Sequence, residues 1–186
     1  MGEDALPISP EPGPGLADAL WAFALAVYAG PGASEACLAL QDRARANIPL
    51  LLFVLWLGAE RGVLLSAQEM ERASDLVGDW HGEVVGALRT VRRRLKAGPY
   101  PAPTAATEAL RETVKAIELS AERIELDTLA RLAADGRWTA TTAPSAEAAE
   151  HNLQVMLRAM PAAATAGQPW AAEAMARLVA AVRGRT

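Results

Sequence analysis

Three glutamates, Glu118, Glu122 and Glu125, lie within a long stretch of helical periodicity in this chain of 186 residues. At about 100° per residue they share one side of a helix, between two apolar arcs. The arcs are formed by Leu110, Val114, Ile117, Ala121 and Ile124, and by Leu119, Leu126, Ala130 and Ala133. Burying a carboxylate costs several kcal/mol unless it is paired or protonated. The pattern therefore predicts a helical bundle in which basic side chains face this glutamate stripe.

The composition favours an all-α fold. Hydrophobic residues make up 52% of the chain and aromatic residues only 5%, and the sequence is rich in alanine. Alanine, leucine, glutamate and arginine lose little side-chain entropy in helices, and a chain of this length can bury a substantial core. We expect a single-domain helical bundle of about six to eight helices, two of them long and antiparallel.

Proline and glycine divide the chain into three parts. Residues 1–15 are acidic and proline-rich, which predicts a disordered tail without a secretory signal. We expect residues 16–135 to form a helical core and residues 136–186 to form C-terminal helices that pack on it. The first helix, about 16–29, has hardly any polar side and is predicted to be central and buried. The apolar run 48–58 is far shorter than the roughly 20 residues that cross a bilayer, so it is predicted to be a buried helix and no transmembrane segment is expected.

A second long helix supplies basic partners for the glutamate stripe. Ser66 and Glu69 have the spacing of a capping box, and the helical pattern continues from there to about residue 96. A short Gly-Pro linker, residues 98–103, joins it to the glutamate helix, so the two are expected to be antiparallel neighbours. This places Arg89 and Arg92 near the start of the glutamate helix and His81 farther along it.

Two interpretations of this polar cluster stay open. In the first, arginine forks neutralise the glutamates in a structural ion-pair network. In the second, a polar cavity binds a divalent metal or a cationic small molecule, and Glu118, Glu122 and His81 would be the metal ligands. The candidate cluster comprises Gln41, Asp42, His81, Arg89, Arg92, Glu118, Glu122 and Glu125.

The chain has no recognisable catalytic motif. It lacks a Gly-x-Ser-x-Gly elbow, a Gly-rich phosphate loop and the Glu-x-x-His pairs of di-iron bundles, and it has only two histidines. The single cysteine, Cys37, is predicted to be a buried, inert core residue, which suits a reducing cytoplasm. We expect a protein that is not an enzyme and has no cofactor, although a divalent metal is compatible with the second interpretation.

Charge and aromatic residues narrow the list of partners. A net charge of −4 argues against general nucleic-acid binding, because a basic surface is needed to displace phosphate counterions. The basic residues between 89 and 96 are expected at a solvated helix end. The five tryptophans are expected to anchor the core.

Residues spread along the chain resemble a proteobacterial family of small helical proteins of unknown function. The resemblance covers about residues 16–135. It is carried by Trp21, Tyr28, Pro31-Gly32, Cys37-Leu38, Leu40-Gln41-Asp42, Leu50 to Phe53, Leu55-Trp56, Trp80, Leu88-Arg89, Arg92-Arg93, Glu118 and Ala121-Glu122-Arg123. It implies a cytoplasmic bacterial protein and gives weight to Gln41, Asp42, Arg89 and Glu122, but it implies no activity.

Two functional hypotheses follow from these patterns. The first is a non-catalytic interaction or regulatory protein with a buried Arg-Glu network, whose partner is another protein or a second copy of the chain. The alternative is an enzyme or carrier that binds a metal or a cationic small molecule in the bundle.

Overall fold

The computed structural model describes residues 15–160 and 168–185. Within these ranges the structure is helical, with one isolated antiparallel bridge between Val63 and Thr141. The helices are α1 Leu16–Tyr28, α2 Ala33–Ala44, α3 Ile48–Arg61, α4 Ala67–Trp80, α5 Gly86–Ala97, α6 Ala105–Ala134, α7 Ala146–Ala159 and α8 Pro169–Arg183. The predicted all-α bundle is confirmed. Of the predicted disordered tail, residues 1–14 lie outside the described residues, and the proposed division into core and C-terminal helices stays a prediction.

Helix α3 lies at the centre of the core. Every residue from Ile48 to Gly58 is buried, because the run is apolar on all sides. The side-chain oxygen of Asn47 accepts the backbone N–H of Leu50 at 3.0 Å and so caps the helix start. At Gly58 the helix touches α7 so closely that a Cβ atom would lie 2.3 Å from the backbone nitrogen of Ala149.

Helix α1 is less buried than its apolar sequence predicts. Leu20, Phe23 and Val27 face the core, whereas Leu25 is 51% exposed and Tyr28 is 40% exposed. The prediction of a central, buried helix is therefore wrong. The second apolar side of α1 lines a surface cleft instead of packing inside the protein.

The second long helix of the sequence analysis runs from 67 to 97 as α4, a π-helical turn His81–Val85 and α5. The capping box of Ser66 and Glu69 is present at its start. Contacts to α6 run in opposite directions along the two helices: they join Arg92 to Glu118, Arg89 to Glu122, His81 to Glu125 and Arg72 to Asp135. The predicted antiparallel pair is confirmed, and α6 is the glutamate helix.

The tryptophans divide into two groups. Trp56 is buried, and Trp21, Trp138 and Trp170 are partly buried against the core, as predicted. Trp80 is 36% exposed, so the predicted core role is wrong for it. Its indole N–H donates to the backbone carbonyl of Ala121 at 3.1 Å, which holds the side chain against α6.

None of the described helices is by itself both long and apolar enough to cross a membrane. Within residues 15–160 and 168–185, one pair of helices, α1 and α2, reaches the required length and composition when taken together, with a 96° bend between them.

Candidate functional site

Glu118 is the centre of an Arg-Glu network between α5 and α6. Its carboxylate accepts Nε of Arg89 at 2.9 Å and Nε and Nη2 of Arg92 at 2.5 and 3.2 Å. Burial by itself would raise the pKa of Glu118, but the hydrogen bonds and charges of Arg92 and Arg89 outweigh it and hold the pKa below its ordinary value. The predicted buried Arg-Glu network is confirmed.

Glu122 lies one helical turn farther along α6 and is less completely paired. Nη2 of Arg89 donates to its Oε1 at 2.8 Å, and no other described residue bonds to its Oε2. Burial raises the pKa of Glu122, with an added contribution from the charges of Glu118 and Glu125, and Arg89 only partly offsets this rise. Glu122 is therefore the member of the network with capacity for another hydrogen bond.

Glu125 forms a separate cluster beyond the arginines. It is 1% exposed, accepts a hydrogen bond from the side-chain amide of Asn47, and contacts Nδ1 of His81 at 3.0 Å. His81 is the first residue of the π-helical turn, so the turn joins α5 to α4 at the point where the helix contacts Glu125. Asn47 thus ties the start of α3 to α6 while it also caps α3.

The two candidates from α2 lie in different places. Asp42 forms an ion pair with Arg93 at the surface, where both side chains are about half exposed, so its predicted place in the cluster is wrong. Gln41 lines the cleft together with Arg92, Glu118 and Glu122. Adjacent residues on a helix point about 100° apart, and the packing of α2 turns Gln41 inward and Asp42 outward.

The cleft lies between α1, α2, the start of α3 and α6, and has a volume of about 350 Å³. Its rim consists of the half-exposed apolar side chains of Leu25, Tyr28, Leu38 and Leu119. Its polar lining consists of Gln41, Arg92, Lys115, Glu118 and Glu122. The Arg-Glu network therefore forms one wall of an open, mostly apolar cleft.

Two titratable groups on the apolar side of the cleft are held neutral. Burial raises the pKa of the Cys37 thiol to about 12. Burial also raises the pKa of Tyr28, with smaller contributions from Cys37 and Glu122. Neither group is ionised near neutral pH, so the cleft offers hydrogen bonding at Tyr28 but no thiolate.

Sequence reasoning missed Asn47, Tyr28 and Lys115 as members of these sites. Tyr28 was noted only among the residues that carry the family resemblance, and Asn47 and Lys115 were not singled out. The one signal in the sequence was that α1 is apolar on nearly all sides, whereas a surface helix normally has a polar side. A helix of this kind has a second apolar side that can line a cleft.

The described residues contain no group of three or more His, Cys, Asp or Glu side chains placed to hold a metal ion. Glu118 and Glu122 face guanidinium groups, and His81 faces Glu125. The three ligands considered in the sequence analysis therefore do not converge on one point.

Comparison with known proteins assigns the sequence of this chain to a family. Residues 19–129 match the model of a family described as protein of unknown function, DUF2390. The chain belongs to this family. The matched segment contains the complete Arg-Glu network, the Glu125 cluster and the whole lining of the cleft.

The match bears out the expected membership of a family of unknown function, and the proteobacterial distribution stays a prediction. No curated protein matches the chain, and no solved structure matches it. The family supplies no activity, so a function has to be argued from the site.

Proposed function

We propose that this protein is a non-catalytic binding protein with an interaction or regulatory role, and that the cleft holds a small amphipathic molecule. Small-molecule sites are typically concave and mostly apolar, with a few polar groups and volumes of roughly 300–1,000 Å³. The cleft of about 350 Å³, with an apolar rim and a polar wall, has this character. This combination is the observation that carries the proposal.

The network supports a binding role because it makes the polar wall rigid. Glu118 is fixed by both guanidinium groups, and Arg89 also holds Glu122. The side-chain amide of Gln41 makes no hydrogen bond to any described residue, and Glu122 has one oxygen without a partner among the described residues. Preorganised walls with a few unused polar groups reduce the entropy lost on binding.

The chemistry of the lining residues favours binding over catalysis. The Cys37 thiol, with its pKa raised to about 12, is a poor nucleophile at neutral pH. His81 contacts Glu125 and is not among the residues that line the cleft. The described lining thus contains no nucleophile with an adjacent base, which acyl or phosphoryl transfer would need.

A bacterial, cytoplasmic setting belongs to this proposal. The lone buried thiol of Cys37 and the acidic charge balance support it. Cell fractionation with an antibody against the chain would test the location, and recovery from a membrane or an extracellular fraction would contradict it.

A dye-binding experiment tests the cleft. Nile red, an uncharged apolar dye, should bind the wild-type protein, and Leu38→Trp should weaken binding at least tenfold by filling the cleft mouth. Leu76→Trp is the matched control, because Leu76 is also 48% exposed but lies on α4, away from the cleft. Equal dye binding by both variants would refute the cleft as the ligand site.

A carrier of a cationic small molecule is the second candidate, and the uncommitted oxygen of Glu122 is the observation that favours it. Calorimetry with an alkylamine and an alcohol of equal chain length distinguishes a carrier of cations from a protein that binds uncharged amphipathic molecules, because it compares the affinities for the two ligands. A carrier of cations should bind the amine more tightly, and Glu122→Gln should abolish that preference while leaving alcohol binding intact. Equal affinity for amine and alcohol in the wild type would reject this candidate.

A further inference from the structure

One side of α6 is exposed and uncharged over most of its length. At about 100° per residue, it is formed by Ala106, Leu110, Thr113, Ile117, Ser120, Ile124 and Thr128, which we call the seam. Leu110, Ile117 and Ile124 are 51%, 50% and 49% exposed. The other large side chains exposed on α6 are charged, apart from Leu119, which belongs to the cleft rim. The seam is therefore the part of this helix outside the cleft that resembles the core of a protein interface.

The hydroxyl groups of the seam are already hydrogen-bonded within α6. Thr113 donates to the carbonyl of Ala109 at 3.1 Å, Ser120 to Ala116 at 3.0 Å and Thr128 to Ile124 at 2.9 Å. Burying a polar surface is usually costly because its hydrogen-bond donors lose water and are left unpaired. Here the hydroxyl donors keep their partners within α6, so burial of the seam would not carry that cost.

The residues next to the seam could also be buried without leaving a side-chain donor unpaired. The indole N–H of Trp80 donates to the carbonyl of Ala121, so the half-exposed ring beside the seam needs no further partner. None of the residues of α5 is buried, although this helix carries Leu88, Val91 and Leu95. Two antiparallel helices cover only one side of each other, and a second pair completes the core of a four-helix bundle.

We propose that the seam is the interface of a homodimer in which two copies of α6 pack antiparallel about a two-fold axis through Ile117. Leu110, Ile117 and Ile124 are spaced by one heptad, the period of helix-helix seams. About such an axis Ile117 meets its own counterpart, and Leu110 meets Ile124 of the partner subunit, so one surface is complementary to itself.

A second copy fits this surface better than a charged partner. The seam offers no charge to select a basic or an acidic segment, whereas its apolar spacing matches itself. From residue 106 to 128 it is about 33 Å long, and with the adjacent side of α5 and the π-helical turn it is roughly 20 Å wide. The resulting area, roughly 700 Å², is close to the ~800 Å² that each partner contributes to a stable interface. The proposal is independent of the ligand cleft, which lies on the opposite side of α6.

Sedimentation equilibrium at about 100 µM protein, where an interface of micromolar Kd is largely formed, tests the dimer. The wild type should be dimeric and Ile117→Glu monomeric, with an unchanged far-UV circular dichroism spectrum. Ala22→Glu, which places the same charge on the exposed side of α1, should stay dimeric. Ile117→Ser replaces the glutamate variant if that one does not fold, and it should weaken the dimer at least tenfold. A monomeric wild type, or a folded Ile117 variant that dimerises like the wild type, would overturn the proposal.

Cysteine cross-linking in a Cys37→Ala background tests the symmetry. Under mild oxidation Ile117→Cys should form a disulfide-linked dimer by itself. Ile124→Cys should not cross-link alone, but it should do so when mixed with Leu110→Cys. Efficient self-cross-linking of Ile124→Cys, or none with Ile117→Cys, would exclude the antiparallel packing.

Discussion

Replacing Glu118 with glutamine keeps the shape of the side chain and removes the charge at the centre of the Arg-Glu network. Glu118 is 5% exposed, and Arg92 has it as its ion-pair partner, whereas Arg89 also contacts Glu122. Removing one partner of a buried ion pair costs about 3–5 kcal/mol, because the other charge stays buried. The Arg92 side chain is 24% exposed and glutamine can still accept a hydrogen bond. We therefore expect a loss of about 3 kcal/mol in the free energy of unfolding.

Urea unfolding at pH 7, followed by far-UV circular dichroism, measures this loss. For a chain of this size, 3 kcal/mol corresponds to a Tm lower by about 6–12 °C, which calorimetry can check. Glu122→Gln is the matched control, since it changes the same charge one turn away. Because burial already raises the pKa of Glu122, its removal should change stability by no more than about 1 kcal/mol. Equal losses for the two variants, or a loss below about 1 kcal/mol for Glu118→Gln, would refute the central role of Glu118.

The two variants should also differ in their pH dependence. The pKa of Glu118 is lowered by folding, so the advantage of the wild type over Glu118→Gln is complete above the ordinary glutamate pKa of about 4.3. That advantage should shrink as the pH falls through the lowered folded pKa. The pKa of Glu122 is raised, so the wild type should gain stability over Glu122→Gln as the pH falls from neutral through the raised folded pKa. Parallel pH profiles for the two variants would contradict these assignments.

Three further predictions concern the core. The Cys37 thiol, with its pKa raised to about 12, should stay unlabelled by a thiol reagent at pH 8 until the protein is unfolded, and rapid labelling of the folded protein would disprove its burial. Asn152→Ala should cost roughly 3 kcal/mol in urea unfolding, because the Asn152 amide makes three buried hydrogen bonds to the backbone, and a loss below half that value would show that water replaces them. Gly58→Ala should lower stability by about 2 kcal/mol or more through its clash with α7, whereas Gly78→Ala, where a Cβ atom meets open space, should raise it by up to about 1 kcal/mol. A neutral Gly58→Ala would contradict the close approach of the two helices.

The helices and their caps could be predicted from the chain because they depend on local patterns. Ser66 and Glu69 form the capping box that their spacing indicates, and Asn47, Thr104 and Ser145, which are residue types that favour helix starts, cap α3, α6 and α7. The pairing of the long helices could also be anticipated, because a short linker leaves an antiparallel neighbour as the simplest arrangement.

The candidate site could be anticipated only in part. The Arg89, Arg92 and Glu118 contacts follow from two helices in a fixed register, so a pattern on each helix was sufficient. Asp42 was assigned to the cluster wrongly, because the rotation of α2 about its own axis decides which of two adjacent polar residues faces α6.

The sequence by itself determined that this chain is an all-α bundle and that the buried glutamates of α6 require arginines from its neighbour. Periodicity and the cost of burying charge act over a few helical turns and can be read along the chain. Only the tertiary structure decided that α1 lines a cleft and that Asn47 reaches Glu125, 78 residues away. Such contacts depend on how whole helices pack against one another, and the residues of a single helix do not specify that packing.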